Sequence, residues 1–263
     1  MSAGVFDRDF LLDVAMGFRR GYSVLHKFGR NKAVGTTFVP VCLGGIYRTP
    51  QATGATTLRI KAGGDVADTA DGAGAREVTL IGLDENFAEQ TVTLATAGVA
   101  ASASTTVTFT RLFRAYVSAS GVYASQILGS HVGEIVIENT AGTEDWITID
   151  VADFPKGQTE CGVYSVPPGF TAYVLRSSVF IDSSKLTQTL LFRREGIQET
   201  AAPYQAMRIL ANLQQRDNHH ETTHVAPIPI RAPADIGFLA RVASGTSEIN
   251  VDFEVLLVED SAP

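Results

Sequence analysis

The sequence EINVDFEVLLV at residues 248–258 and the sequence TAYVLRSSVFI at residues 171–181 form the longest β-strand patterns in the chain. The first alternates polar and apolar side chains, and both are rich in β-branched and aromatic residues, as half-buried strands are. We expect these two strands to pair across a buried layer. That arrangement predicts a jelly-roll-type β-sandwich in the C-terminal half.

The same two-residue period recurs along most of the chain. It predicts further strands at residues 34–43, 56–62, 76–83, 90–94, 105–118, 134–138, 146–151, 162–166, 186–192, 219–225 and 235–242. Pro227, Pro229 and Pro233 favour an extended edge segment, because proline cannot donate to a sheet ladder. Successive strands without intervening helices indicate an antiparallel arrangement. The expected fold class is therefore mainly β: an antiparallel, jelly-roll-like β-sandwich with an N-terminal helical arm.

Residues 5–25 have a helical pattern instead. Their bulky apolar residues recur every three or four positions and would share one helical face. Such a face either packs on the protein's own core or forms an arm that packs on a neighbouring subunit. The candidate partner-contact residues on this face are Phe6, Phe10, Val14, Phe18 and Tyr22.

The length of 263 residues fits one large domain or two small ones. The strand series is interrupted near residues 152–160. We therefore divide the chain into a partly helical N-terminal arm (1–33), a β-rich domain or half-domain (34–155) and a jelly-roll-like β-sandwich (156–263).

The formal net charge of -7 argues against a protein that coats nucleic acid, because phosphate binding needs concentrated Lys and Arg. No stretch has the length and hydropathy of a membrane span, and the N-terminus lacks the unbroken apolar run of a secretory signal. We expect a protein kept in the cytosol of its producer, with later release inside a larger particle left open. Cys42 and Cys161 form no CxxC pair, and we interpret both as small buried hydrophobic residues rather than as a disulfide or zinc ligands.

Residues 220–224 read HETTH and match the H-E-x-x-H pattern of zinc peptidases, in which two histidines on one helical face bind zinc and Glu221 would be the general base. The adjacent threonines and the prolines that follow favour a strand here. On a strand, His220 and His224 would lie about 13 Å apart, too far for one zinc ion. We therefore prefer a surface or interface histidine cluster, with a metallohydrolase as the alternative. A pH response of the cluster formed by His219, His220 and His224 is a further hypothesis.

Other patterns give no catalytic residue, cofactor site or metal site. Asp65, Asp68 and Asp71 lie in a loop that resembles a calcium loop only loosely, since it lacks the EF-hand spacing and closing Glu, and a hairpin or connection is favoured. Trp146 begins an apolar strand, which favours a core position over sugar stacking. The sequence has no dinucleotide cradle, Walker motif or nucleophile elbow, and we expect a non-enzymatic protein without a cofactor.

Several strings are similar to those of one class of protein. They are DTADGAGAR (68–76), VTLIGLD (78–84), QTVTL (90–94), TRLFRAY (110–116), YSVPPGFTAY (164–173), IRAPADI (230–236) and FEVLLVE (253–259). Over residues 34–260 the chain resembles virion structural proteins of tailed bacteriophages, notably of marine phages. The resemblance implies a particle-associated β-rich protein on or under the head shell, located in the virion and assembled in the host cytoplasm.

The leading hypothesis is a capsid decoration or cement protein that bridges shell subunits, with the major capsid protein or other virion proteins as partners. The alternative is a head-fibre, spike-base or tail component that binds a receptor or anchors another virion protein. We expect a homo-oligomer, with a trimer as the first expectation because many head-surface sites have three-fold local symmetry, and no contact with nucleic acid or membrane.

Overall fold

A computed structural model describes residues 9–44, 54–125, 129–151, 157–182, 185–199, 201–216 and 219–262. Its elements are α1 (Phe10–Ala15), β1 (Tyr22–Val34), β2 (Val39–Pro40), β3 (Leu58–Ile60), β4 (Ala75–Leu83), β5 (Glu89–Ala95), β6 (Arg111–Ser120), a 3-10 helix (Val122–Ser125), β7 (Ile135–Asn139), β8 (Asp145–Ile149), β9 (Val163–Val166), β10 (Phe170–Asp182), β11 (Thr187–Glu195), β12 (Arg208–Gln215), β13 (His219–Arg231), β14 (Ala234–Val242) and β15 (Ser247–Glu259). No helix among these residues is long and apolar enough to cross a membrane.

Two sheets form a jelly roll. One has the strand order β1-β15-β10-β13, and the other has the order β12-β11-β14-β2, with β9 also paired to β14. If β2 and β9 count as one strand, the eight strands follow the orders 1-8-3-6 and 2-7-4-5, which is the jelly-roll arrangement. The expected fold class, a mainly β antiparallel sandwich of jelly-roll type, is confirmed.

The alternating pattern of β15 places one face of this central strand in the core. Every second residue from Ile249 to Leu257 is buried and packs in a core with Phe238 and Leu191 of the opposite sheet. The expected pairing of residues 171–181 with residues 248–258 is confirmed, but it is not across a layer, because β10 and β15 are hydrogen-bonded neighbours in one sheet. The proline-containing strand β13 lies at the edge of that sheet, as expected.

The second strand of the jelly roll is interrupted. Pro40 pairs with Leu239 of β14, and Val163 pairs with Gly237, so β2 and β9 run in line along the same neighbour. Between them, the Val41 amide donates to the Phe238 carbonyl at 3.0 Å, and the Gly162 amide donates to the Val41 carbonyl at 2.9 Å. The chain thus leaves the sheet after Val41 and re-enters it at Gly162. We call this junction the neck and the β-rich part between its ends, described over residues 54–125 and 129–151, the insertion.

A disulfide between Cys42 and Cys161 closes the neck. The two cysteines also form an antiparallel bridge, and both are buried. Burial was expected, but the interpretation as unpaired hydrophobic residues was wrong. The residues are 119 positions apart, and only the interruption of one strand brings them together. A third segment packs on the neck at Gly29, where a Cβ atom would lie 2.2 Å from both the Val41 carbonyl oxygen and the Gly162 nitrogen.

The insertion consists of two three-stranded sheets, β3-β7-β8 and β5-β4-β6. Its core contains Leu80, Phe109, Ile137 and Ile147, together with Trp146, which is 3% exposed. The core position expected for Trp146 is therefore confirmed.

The N-terminal helix is much shorter than residues 5–25. It ends at Ala15, and Gly17 and Gly21 follow with φ values of 74° and 79°, outside the helical region. From Tyr22 the chain is strand β1, which pairs with β15. The expectation of a helix up to residue 25 was wrong because the apolar spacing there also suits a strand that can pair.

The jelly roll therefore takes strands from both sides of the insertion. Residues 22–33, which we expected in a partly helical arm, belong to β1 of the sandwich. The expected boundary at 155/156 touches residues 152–156, which lie outside the described ranges. The sequence patterns gave no sign of β12, and they predicted a strand over 34–43, where the structure has β2 and the last residue of β1.

Candidate functional site

The predicted partner-contact face is divided between buried and exposed positions. Val14 is buried, and the Phe10 ring contacts the Tyr22 ring with centroids 5.4 Å apart. The Arg19 guanidinium lies over the Phe10 ring at 5.5 Å. Phe18, by contrast, is 57% exposed. Part of the stripe therefore packs on its own chain, and Phe6 lies outside the described residues.

A different set of α1 residues forms an exposed apolar surface. Asp9 caps the helix by accepting from the Leu11 amide at 2.9 Å, which orients the first turn. The exposed residues, which we call the helix surface, are Phe10, Leu11, Leu12, Met16 and Phe18, between 39% and 57% exposed. Leu11, Leu12 and Met16 fall outside the predicted stripe. The sequence FLLDVA is apolar on more than one side, and this was the signal that a single-face interpretation missed.

A groove of about 840 Å³ lies between β1 and the insertion. Its apolar walls include Leu25, Ile81, Phe87, Phe113 and Phe170. Its size is that of ligand-binding clefts, which commonly occur where two structural units meet. Sequence patterns did not indicate it, because its walls come from distant parts of the chain.

Lys27 is buried in the groove, whereas Glu89 and Arg114, which also line it, are more exposed. Its side chain points from β1 toward the insertion and is 8% exposed, and its Nζ donates to the Phe113 carbonyl oxygen at 2.6 Å. Burial, assisted by the positive charge of Arg114, lowers the pKa of Lys27 from 10.5 to about 7. No carboxylate pairs with Nζ among the described residues. A cationic Lys27 therefore has donors to spare for an anionic group that enters the groove.

Tyr164 and Glu89 line the groove near Lys27. The rings of Tyr164 and Phe113 meet edge to face, with centroids 5.0 Å apart. Burial, and then the charge of Glu89, raise the pKa of Tyr164, so that its hydroxyl stays protonated and can donate. Burial likewise raises the pKa of Glu89. The groove thus combines an apolar lining with a few polar groups, a composition suited to binding.

The HETTH sequence lies on strand β13 and not on a helix, as expected. His220 Nε2 lies 3.0 Å from the Thr222 hydroxyl, and Glu221 forms an ion pair with Arg176 at 3.2 Å. The helical geometry that the zinc-peptidase pattern requires is therefore missing. Within the part of the chain that the structure describes, no three His, Cys, Asp or Glu side chains are grouped to hold a metal ion.

The acidic loop is organised around one buried carboxylate. Asp68 is 4% exposed and accepts from the backbone amides of Ala75, Val132 and Gly133, the shortest at 2.7 Å. Asp65 accepts from the Ala67 amide at 2.8 Å. These contacts give Asp68 a structural role within the connection that leads into β4.

No family model and no curated protein matches this chain. Among solved structures it is similar to an isomalto-dextranase of Arthrobacter globiformis T6 complexed with panose, with 13% sequence identity and a TM-score of 0.22. The similarity covers 90% of this chain and 35% of that enzyme, so the chain spans about a third of the length of the enzyme. A likeness this low supports no argument about activity.

Proposed function

We propose that this chain is a non-enzymatic virion structural protein, a capsid decoration protein that binds the major capsid protein or another virion protein through its helix surface. The observation that carries the proposal is the group of five apolar side chains left exposed on and just after α1. Contiguous exposed apolar side chains are typical of protein interaction sites. The jelly roll suits such a role, since viral capsid domains use this architecture.

Attachment would follow from burying Leu12, Met16 and Phe18 against the partner. Each is more than half exposed, so an interface gains apolar burial there without disturbing the chain's own core. Tyr22 and Val14 would support the helix from behind. A homo-oligomer, with a trimer first, is part of the same proposal.

The number of copies in purified virions tests the role in the particle. We expect hundreds of copies, measured by quantitative mass spectrometry and located on the head by single-particle imaging. Absence of the chain from purified particles would contradict a virion role.

The helix surface is tested by substitution. Leu12→Ser combined with Met16→Ser should abolish attachment to particles while the fold is retained, because both side chains are largely exposed. A matched control is Val99→Ser with Val122→Ser, which removes two equally exposed apolar side chains from the insertion and should leave attachment unchanged. Deletion of residues 1–18 is the corresponding truncation, since a longer one approaches β1. Attachment that survives both changes would refute the role of the helix surface.

The groove favours a second candidate, a head-fibre, spike-base or tail component that binds a receptor or anchors another virion protein. A cleft with apolar walls and a buried lysine is a more specific feature than an exposed apolar helix. A handful of copies per particle, confined to one vertex or to the tail, would support this candidate over decoration.

A further inference from the structure

Strand β1 has an open edge along the groove. Among the described residues it is the terminal strand of its sheet and pairs only with β15. The Arg30 amide points away from β15, since it donates to the Glu160 carbonyl at 3.3 Å. Because the direction of backbone groups alternates along an antiparallel strand, those of Val24, His26 and Phe28 point the same way. No described residue pairs with these groups.

The groove follows this edge rather than a face of the sheet. All six residues from Ser23 to Phe28 line it, although their side chains alternate between the two faces. The open edge from Val24 to Phe28 is about 13 Å long at the rise of a β-strand. Beyond it, the edge is covered, since Gly29 packs directly on the neck.

The lining of the groove is mainly apolar, although polar residues such as Gln158 contribute to it. Phe87 follows β4 in the turn before β5, and Pro168 and Phe170 also line the groove. A chain laid along β1 would direct every second side chain toward Leu25, Phe113 and Phe87, and the others toward solvent. The groove therefore suits a single extended chain with apolar residues at alternate positions.

The positively charged residues of the groove set a second requirement for a bound chain. Lys27 points to the inner side of the edge, and Arg114 also lines the groove. Nζ of Lys27 has one acceptor, the Phe113 carbonyl. A carboxylate at one inward position of the bound chain would meet both cations, and bringing it next to a buried amine would favour the charged form of Lys27.

We propose that the groove binds an extended segment of a partner protein that adds to the open edge of β1, with apolar side chains against Phe113 and Phe87 and a carboxylate beside Lys27. This is recognition by strand addition, in which backbone hydrogen bonds give affinity and alternate side-chain pockets give specificity. The inference rests on the proposed function, because it specifies how another virion protein is held, and it assigns that contact to residues other than those of the helix surface.

The test uses the full chain and an array of fluorescein-labelled heptapeptides of the form TXTXTXT, with X drawn from Val, Leu, Phe, Glu and Lys. We expect the tightest binding, by fluorescence polarisation, for peptides with one Glu and two apolar residues at X. Replacing that Glu by Lys should weaken binding at least tenfold. Methylating alternate backbone nitrogens of the best peptide should abolish binding, because it removes the ladder donors.

Two protein variants distinguish the contribution of the backbone edge of β1 from that of the His26 side chain. His26→Pro removes an amide that points into the groove, whereas His26→Ala keeps it. We expect at least tenfold weaker binding for His26→Pro and a change within twofold for His26→Ala. Lys27→Met should remove the preference for Glu over Val.

Amide exchange of the unmodified protein makes the test independent of these variants. The amides of Val24, His26 and Phe28 should exchange rapidly in the free chain and become protected with the best peptide. Failure of every peptide in the array to protect them would overturn the inference, as would equal binding of the methylated peptide. Protection that rises with protein concentration alone would also overturn it, by showing that a second copy covers the edge. None of these results depends on the copy number in virions, so the inference and the proposed function can fail separately.

Discussion

The jelly roll and the insertion are built in opposite ways. The jelly roll combines strands from both sides of the insertion and has four 13-residue strands, β1, β10, β13 and β15. The insertion is formed by one continuous stretch with shorter strands, and a buried carboxylate holds its first connection. Because the insertion interrupts a strand of the jelly roll, that strand is complete only when the two ends of the neck are together. The jelly roll is therefore complete only when the insertion is folded, and we expect the two units to unfold together.

The two cores support this coupling. Leu83 and Phe113 of the insertion pack in the core of the jelly roll, whereas Val163 and Phe192 of the jelly roll pack in the core of the insertion. The single tryptophan, Trp146, lies within the insertion, so its fluorescence reports that unit while circular dichroism reports both. Coincident transitions by the two probes are expected for the unaltered chain.

The largest effect is expected for Asp235→Ala, which removes an ion pair between the two units. Asp235 of β14 is fully buried, pairs with Arg111 of β6 at 3.4 Å and accepts from the Ser165 hydroxyl at 2.5 Å. Loss of the carboxylate removes the buried ion pair between Asp235 and Arg111, which costs about 3–5 kcal/mol of the free energy of unfolding. Urea titration followed by both probes measures it.

Asp145→Ala is the control for Asp235→Ala, because Asp145 takes part in an exposed pair with Lys61 and should have little effect. If Asp235→Ala lowers the free energy of unfolding measured by tryptophan fluorescence but not that measured by circular dichroism, coupled unfolding of the two units is contradicted.

The next effect is expected from the neck disulfide. Cys42→Ala combined with Cys161→Ala opens a loop of 119 residues and should lower the free energy of unfolding by about 2–4 kcal/mol. Both probes should shift together, since the bond closes the interrupted strand. Treatment of the unaltered chain with a reducing agent should give the same shift, and the double variant should not respond to it. If only Trp146 fluorescence shifts, the bond stabilises the insertion alone.

Sequence patterns predicted the strands of both units far better than they predicted how the units connect. The central strands β10, β14 and β15 carry local signals, because their buried positions show in composition and alternation. The neck has no such signal, since Val41 and Gly162 become neighbours only through long-range pairing. Around the start of β1, the spacing of Phe18, Tyr22 and Leu25 is compatible with a helix, and the pairing of β1 with β15 overrides it.

The same limit applies to the candidate sites. The apolar residues of α1 are visible in sequence, although which of them are exposed depends on packing against Tyr22. Lys27 looks like an ordinary surface lysine until the insertion covers it, because the Phe113 carbonyl that it contacts lies 86 residues away. The groove could therefore not be predicted from any local pattern.

The pH dependence of the stability of Lys27→Met tests whether the contact between the two units at the groove buries Lys27. The pKa of Lys27 is lowered to about 7 in the folded chain, so between about pH 7 and 10.5 the unfolded chain binds more protons, and the stability of the unaltered chain rises with pH. Methionine keeps the length of the side chain without a charge. We expect the stability of the unaltered chain relative to the variant to rise by about 2 kcal/mol from pH 7 to pH 9, since one pKa unit corresponds to about 1.4 kcal/mol.

The difference in stability between the unaltered chain and the variant reports the titration of Lys27 alone, because Arg114 and Glu89 are present in both. The free energy of unfolding of the variant, relative to that of the unaltered chain, should be highest at pH 7 and below. A stability difference that stays constant from pH 6 to pH 9 would show that Lys27 keeps its ordinary pKa and is open to solvent.

The smallest effect is expected for Asp68→Ala, which acts within the insertion alone. The variant leaves the amides of Ala75, Val132 and Gly133 without their acceptor. Water can reach two of them once the side chain is gone, since Val132 and Gly133 are only half-buried, so we expect a loss of about 1–2 kcal/mol. Asp71→Ala, an exposed neighbour in the same loop, should have little effect. If the units are coupled, circular dichroism and Trp146 fluorescence will record the same loss, and a shift confined to Trp146 would show that the insertion can loosen while the jelly roll stays intact.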